Sequence, residues 1–345
     1  MTIFYHSLEF LKQKLNIQSI NTGKVYSDRY GIIFDDIEQL HPLVGADGYI
    51  HLRSGTEFAM THYRGQNEDF RVCNTTLDRC ETKEEQFLNI CKTIAFEELL
   101  QTHPFVKYLY TLPPIGKNHL SINLTGMAQH YGLHTNYLDI TNNFDVACFF
   151  ATCKCENGKY IPYTDISKLG VLYQVHEHLI PPFNKNNEQI EIEYLGWQPL
   201  PRPEQQRASV LKMKKDTNLD DISSIKKYYF KHSISQSQRI WKQFDEGKIL
   251  FPNDSASELA NECLKLNSFT QQQINKAFDR FCIWSNDSLV NKEQILDKLN
   301  IEIVENHSLN WNNLVEVKEE YWEERFNQTM SKVRFRFACD HLELD

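Results

Sequence analysis

The stretch from residue 129 to 151 constrains the fold more than any other part of the chain. It reads Gln129-His130-Tyr131-Gly132-Leu133-His134-Thr135-Asn136-Tyr137-Leu138-Asp139-Ile140-Thr141 and runs on into Val146-Ala147-Cys148-Phe149-Phe150-Ala151. The pattern predicts a short strand, a polar Asp/Thr turn and then a helix that is apolar around its surface and therefore buried. A second segment, Tyr63-Arg64-Gly65-Gln66, reads as a strand end that delivers a guanidinium beside a glycine. There a phosphate or a ligand's backbone could approach closely. Together the two segments predict an anion-handling cleft of the kind that holds a nucleotide.

A chain of 345 residues has room for one large domain or two ordinary ones. Its 41% hydrophobic and 24% charged residues describe a folded protein rather than a disordered one. The net charge of −9 argues against non-specific attraction to nucleic acid or to an anionic membrane. It leaves room for a local basic pocket, because one or two arginines can hold a phosphate whatever the total. The first 16 residues mix Glu9, Lys12 and Lys14 with apolar positions, unlike a signal peptide. No run of about 20 apolar residues is present. Nine scattered cysteines fit free thiols in a reducing compartment, so a cytoplasmic protein is expected.

Helical spacing places Phe4, Leu8, Leu11 and Leu15 on one face near the start, and residues 21–60 read as irregular with short strands. A strand over 58–64 would present Arg64. Phe87, Ile90, Cys91, Ile94, Phe96 and Leu99 predict an amphipathic helix over 83–100, ended by Thr102-His103-Pro104. Further along, a helix over 121–131 stops at Gly132, a strand covers 136–140, and Asn142 or Asn143 caps a helix through Ala151. Strands are expected at 170–176, 189–195 and 208–213. Composition shifts near 214–221, and everything after it reads as helical: 235–244, 255–266, 271–284, 292–299 and 316–326.

Nucleotide-binding glycine loops, zinc-protease and serine-hydrolase signatures are absent from the sequence. Cys153-Lys154-Cys155 with Cys148 lacks a second knuckle at zinc spacing, and the pair His176 and His178 lacks a third ligand. No metal site is expected. Each remaining candidate also has an ordinary structural reading. Arg64 could pair with a surface acid, Asp139 and Thr141 could cap the following helix, and Pro201-Arg202-Pro203-Glu204-Gln205-Gln206 could be a charged loop.

Tyr63-Arg64-Gly65, the ordered 129–141 block with Val146-Ala147 and Phe150-Ala151, and Arg202 with Gln206 resemble the FRG domain family, named for its (F/Y)-R-G motif. The resemblance extends over roughly residues 55–265, through Lys227-Tyr228-Tyr229 and the segment from Ile249 to Asp254. This chain departs from the family pattern at His134, Asn136 and Ala208, where Pro, Arg and Gly are usual; Asn136 removes a second basic residue.

The layout resembles that of ADP-ribosyltransferase folds. It implies an α+β fold with an ADP-ribosyltransferase-like split β-sheet, flanking helices and a helical C-terminal region. The implied parts are an N-terminal helix and irregular segment at 1–54, an FRG-like domain at 55–265 and an accessory helical region at 266–345. By position, Arg64, Asp139, Thr141 and either Glu204 or Gln206 take catalytic places, while Tyr63, Gly65, Gln129, His130, Thr135 and Tyr137 join Arg64 in holding NAD. The resemblance implies an ADP-ribosyltransferase or NAD glycohydrolase acting as a bacterial toxin or phage-defence effector. The alternative is a non-catalytic module that senses a nucleotide or binds a protein. Trp284, Trp311, Tyr321 and Trp322 give the C-terminal helices apolar surface to dock on the body or on a second copy of the chain.

Overall fold

A computed structural model describes residues 6–15, 25–28, 31–34, 39–45, 47–54, 61–180, 189–287, 291–306, 309–311 and 319–333. Helix α1 (Leu8–Leu15) is followed by two hairpins, β1 (Val25–Asp28) with β2 (Gly31–Phe34) and β3 (Leu40–Val44) with β4 (Ile50–Ser54). Strand β5 (Thr61–Gln66) then leads to α2 (Lys83–Gln101), α3 (Pro104–Thr111) and α4 (Leu124–His130). Strand β6 (Tyr137–Thr141), helix α5 (Phe144–Thr152) and the hairpin β7 (Cys153–Glu156) and β8 (Lys159–Pro162) come next. After them come β9 (Leu169–His176), β10 (Ile190–Tyr194), α6 (Pro201–Gln205), β11 (Ala208–Met213) and β12 (Lys226–Lys231). The last elements are α7 (Ile234–Gln243), α8 (Ser255–Lys265), β13 (Ser268–Phe269), α9 (Gln271–Ser285), α10 (Lys292–Lys298), β14 (Glu302–Ile303) and α11 (Glu319–Ser331).

The fold is α+β. Six strands form one sheet in the order β10-β11-β6-β5-β9-β12, and every neighbouring pair is antiparallel. The sheet is uneven. Strands β5 and β9 pair over six residues, from Thr61↔His176 to Gln66↔Val171, whereas β5 and β6 share the single pair Tyr63↔Thr141. Beyond that pair the two central strands part, and the sheet opens into two three-stranded halves.

Helix α5 closes one face. Tyr63 and Leu172 from the sheet pack with Phe144, Ala147, Phe149 and Ala151, and α1 adds Leu8, Leu11 and Leu15. This approach is very close: a Cβ built on Gly65 would lie 1.9 Å from the Ala147 carbonyl oxygen and 2.7 Å from the Ala151 nitrogen. The glycine and the small residues of α5 are one packing device. The opposite face carries Leu138, Ile140, Val171, Tyr173 and Val175. Helices α2, α4 and α8 share a second core around Phe96 and Met127. The elements beyond residue 266 share cores with the body: Ile274 and Phe281 of α9 pack on Phe87 and Ile94, and Trp322 of α11 packs on Phe105 and Leu52. Arg280 of α9 also makes a bidentate pair with Glu97 of α2 at 2.8 and 2.7 Å.

A buried ionic cluster ties β4, β5, β9 and β10 together. Glu177, just past β9, accepts from Arg53 Nη2 at 2.7 Å, from His62 Nε2 at 2.5 Å and from the Tyr194 hydroxyl at 2.8 Å. Burial pushes the Glu177 carboxyl up, but the His62 hydrogen bond, the Arg53 charge and the Tyr194 hydroxyl bring it down to about 2. Burial lowers the His62 pKa, and its Nε2 donates to the Glu177 carboxylate.

Three elements differ from the sequence expectation. Residues 226–231 form the edge strand β12 inside a region expected to be helical. Residues 153–162 form a hairpin turned by Asn157 and Gly158, both at positive φ. His103-Pro104 ends one helix and starts another, because His103 caps α3 by accepting from the Phe105 amide and Pro104 takes its first turn. The expected lead-in at 58–60 and Phe4 lie outside the described residues. Among the described residues no helix is long and apolar enough to cross a membrane, and no group of three metal-ligating side chains occurs.

Candidate functional site

A cavity of about 530 Å³ occupies the opening between β5 and β6, within the ~300–1,000 Å³ typical of ligand pockets. One wall is Arg64, Gln66 and Asn67, the other Asp139, Ile140 and Thr141, with His130 and Gln206 lining it from α4 and the end of α6. Phe70, Phe150 and Tyr160 add aromatic surface, and Arg79 and Lys154 add positive charge. Paired positions of antiparallel strands point the same way. The Tyr63↔Thr141 register therefore puts Asp139 on the α5 face and Arg64 on the other. They meet because the sheet is open between them.

Arg64 sits within the central strand β5 rather than at a strand end. Its Nη1 donates to the Asp139 backbone carbonyl at 2.8 Å, in the region where β5 and β6 no longer pair. Its Nε is buried with no protein partner. Arg79, at the exposed rim, donates to the Asn74 carbonyl, and its pKa is lowered by burial and then by the Arg64 charge. Both guanidiniums line the same cavity.

Asp139 is the one carboxylate that lines the cavity among the described residues. Its Oδ2 accepts from Gln129 Nε2 at 3.1 Å, and Gln129 Oε1 accepts from the Thr135 hydroxyl at 2.6 Å. Asp139 does not cap α5. Asn143 does, by accepting from the Asp145 and Val146 amides. Thr141 donates to the Gln206 carbonyl at 2.7 Å and accepts from the Asn143 amide, which makes it a clasp between β6 and the end of α6.

The structure gathers Tyr63, Arg64, Gly65, His130, Asp139, Thr141 and Gln206 around one cavity, whereas Gln129, Thr135, Tyr137 and Glu204 do not line it. Glu204 does not line the cavity and pairs with Lys332 at 3.4 Å. Gln206 spans two neighbours, with Oε1 on His130 Nδ1 and Nε2 on the Leu250 carbonyl, both at 3.0 Å. Arg202 braces the same corner by donating to the His130 carbonyl and the Ser257 hydroxyl, with its guanidinium 4.3 Å above the Tyr131 ring. Thr135 and Tyr137 are structural: Thr135 holds Gln129, and the Tyr137 hydroxyl donates to Glu193 at 2.6 Å. Tyr63 is fully buried against Phe144, with its hydroxyl on the Leu15 carbonyl. Gly65 lines the cavity and also lies against the backbone of α5.

Sequence reasoning missed Arg79 and the aromatic wall. Nothing in the polar run around Arg79 marks it. Tyr160 was reachable, because Asn157-Gly158 is a hairpin signal that carries the next residues back beside Cys153 and Cys155. Burial pushes the Cys153 thiol up to about 12, so it is a packing residue.

No curated protein and no solved structure matches this chain. Among protein-family models, residues 59–159 match the FRG domain. That span holds Tyr63-Arg64-Gly65, both walls of the sheet opening and helix α5 but stops short of Tyr160, so the chain carries an FRG domain and the cleft is largely built from it.

Proposed function

We propose that the cleft binds a nucleotide of the NAD type. The observation that carries this reading is the juxtaposition of Arg64 and Arg79 with Phe70, Phe150 and Tyr160 in one cavity. Guanidiniums suit a pyrophosphate, aromatic rings suit a base, and the unpartnered Arg64 Nε leaves a donor for a phosphate oxygen. Residues 55–265 would form the cleft-bearing body, with 1–54 and 266–345 packed around it. As an ADP-ribosyltransferase or NAD glycohydrolase, in the toxin or phage-defence setting that the family resemblance implies, the domain would pass through an oxocarbenium-like state on losing nicotinamide. Asp139 would face the ribose or the attacking hydroxyl, Arg64 would hold the pyrophosphate, and water would be kept to the aromatic side.

A non-catalytic sensor is the second reading. What favours it is the commitment of Gln206 at both ends and the distance of Glu204 from the cleft, which leave Asp139 as the sole carboxylate. Incubation with NAD labelled in the nicotinamide separates the two. Release that disappears in Arg64→Ala supports the enzyme, binding without release supports the sensor, and no binding ends the nucleotide reading.

A further inference from the structure

The interior end of the cleft contains a polar contact that the chain leaves unresolved. Gln206 Nε2 donates to the Leu250 carbonyl, which fixes the amide so that Oε1 faces His130. An amide oxygen accepts only, so His130 Nδ1 must carry the proton of their 3.0 Å contact. The other ring nitrogen, Nε2, is buried with no hydrogen bond and stands 3.6 Å from Asp139 Oδ1, itself buried and unpartnered. In a neutral ring with this tautomer Nε2 is an acceptor. Two buried acceptors would then face each other just beyond hydrogen-bond range, each left with its desolvation uncompensated.

We infer that one proton is held between His130 Nε2 and Asp139 Oδ1, so that the two side chains act as a single acid–base dyad oriented by Gln206 and Leu250. A small rotation of either side chain closes the gap once Nε2 is a donor. The dyad also selects the working oxygen of the carboxylate. Oδ1 is buried although the Asp139 side chain is 38% exposed, so Oδ2, beside the Gln129 amide, is the oxygen that the cleft reaches. His130 is thus a positioning residue, and Asp139 is the group that would meet a ligand. The charged groups around the pair come from three elements: Arg64 on the Asp139 carbonyl, Arg202 on the His130 carbonyl and Arg79 at the rim, with Asp254 behind on the Tyr131 hydroxyl. This inference stands on the protein's own contacts and holds whatever the ligand is.

The test is two-bond ¹H–¹⁵N correlation spectroscopy on the full chain labelled in histidine, with His130→Gln identifying the His130 ring among the thirteen histidines. The dyad predicts protons on both His130 nitrogens near neutral pH. It predicts that Asp139→Asn removes the Nε2 proton and leaves the Nδ1–H tautomer, because an asparagine amide can donate to Nε2. Gln206→Met should release the tautomer, giving a mixture. If that variant does not fold, the wild-type and Asp139→Asn spectra decide alone. An unprotonated Nε2 in the wild type, or a pattern that Asp139→Asn leaves unchanged, overturns the dyad.

Discussion

Two groups of the same composition flank strand β5, and they are built to opposite ends. His62, Glu177 and Arg53 form one, and His130, Asp139 and Arg64 the other. His62 and Arg64 lie two residues apart on one strand and so project from the same face. In the first group three donors converge on Glu177 and both of its carboxylate oxygens are used, although Arg53 Nε and His62 Nδ1 are buried without partners. In the second the carboxylate is part-exposed, Arg64 Nε and Asp139 Oδ1 lack partners, and the residues line an open cleft. Composition alone does not separate a lock from a site. The separation lies in the carboxylate: both oxygens of Glu177 accept hydrogen bonds, whereas Asp139 Oδ1 accepts none.

The largest effect should come from removing the fully bonded carboxylate. Glu177→Ala leaves Arg53 and His62 buried without their shared acceptor and should lower unfolding free energy by about 3–5 kcal/mol in urea titration. A loss below about 1 kcal/mol would mean that the cluster does not lock the sheet. Next, Gly65→Ala drives a methyl group into the Ala147 carbonyl and should cost at least the ~1–3 kcal/mol of ordinary overpacking, read as a lower melting temperature. A neutral result would show that α5 can move away from β5 at little cost.

The open group should respond in ligand binding instead. Arg64→Ala should weaken NAD binding tenfold or more by calorimetry, the equivalent of a charged hydrogen bond worth about 1.5–3 kcal/mol. Its melting temperature should fall by less than that of Glu177→Ala; a larger fall would make Arg64 chiefly a bridge between the half-sheets. Acid sharpens the contrast further. Glu177 has its carboxyl depressed to about 2, so its stabilisation is full above its unfolded value and is lost as pH falls towards 2. His62, with its pKa lowered by burial, likewise stabilises the neutral side and resists protonation as pH drops below its unfolded value. Melting temperature in Glu177→Gln should therefore vary less with pH over the acid range than in the wild type. The smallest effect on stability belongs to Asp139→Asn, which should cost less than Glu177→Ala, because Asn143 caps the helix and an asparagine amide still reaches His130 Nε2.

Sequence reading located the cleft better than it assigned its parts. The 129–151 block and Tyr63-Arg64-Gly65 were legible because their periodicity and turn residues are local signals, and helices α2, α5, α8 and α9 followed the same rule. Strand β12 was not legible, since Lys226–Lys231 gains its strand state from pairing with β9, a partner more than 50 residues away. That Glu204 stays off the cavity was not legible for a related reason. It shares a five-residue helix with Arg202, and the direction in which each side chain leaves that helix depends on where α6 docks. At Gly65 the sequence recorded only that something comes close; the passage of helix α5 was not legible in it.

The closeness of α5 to Gly65 also carries an evolutionary consequence. What a side chain at position 65 would strike is the backbone of residues 147 and 151, not their side chains. No compensating substitution on α5 can relieve a backbone collision, so the lineage has no second-site route out of glycine while the helix keeps its path. Glycine should thus persist at this position among descendants that have lost every other residue of the cleft, marking common ancestry rather than shared activity.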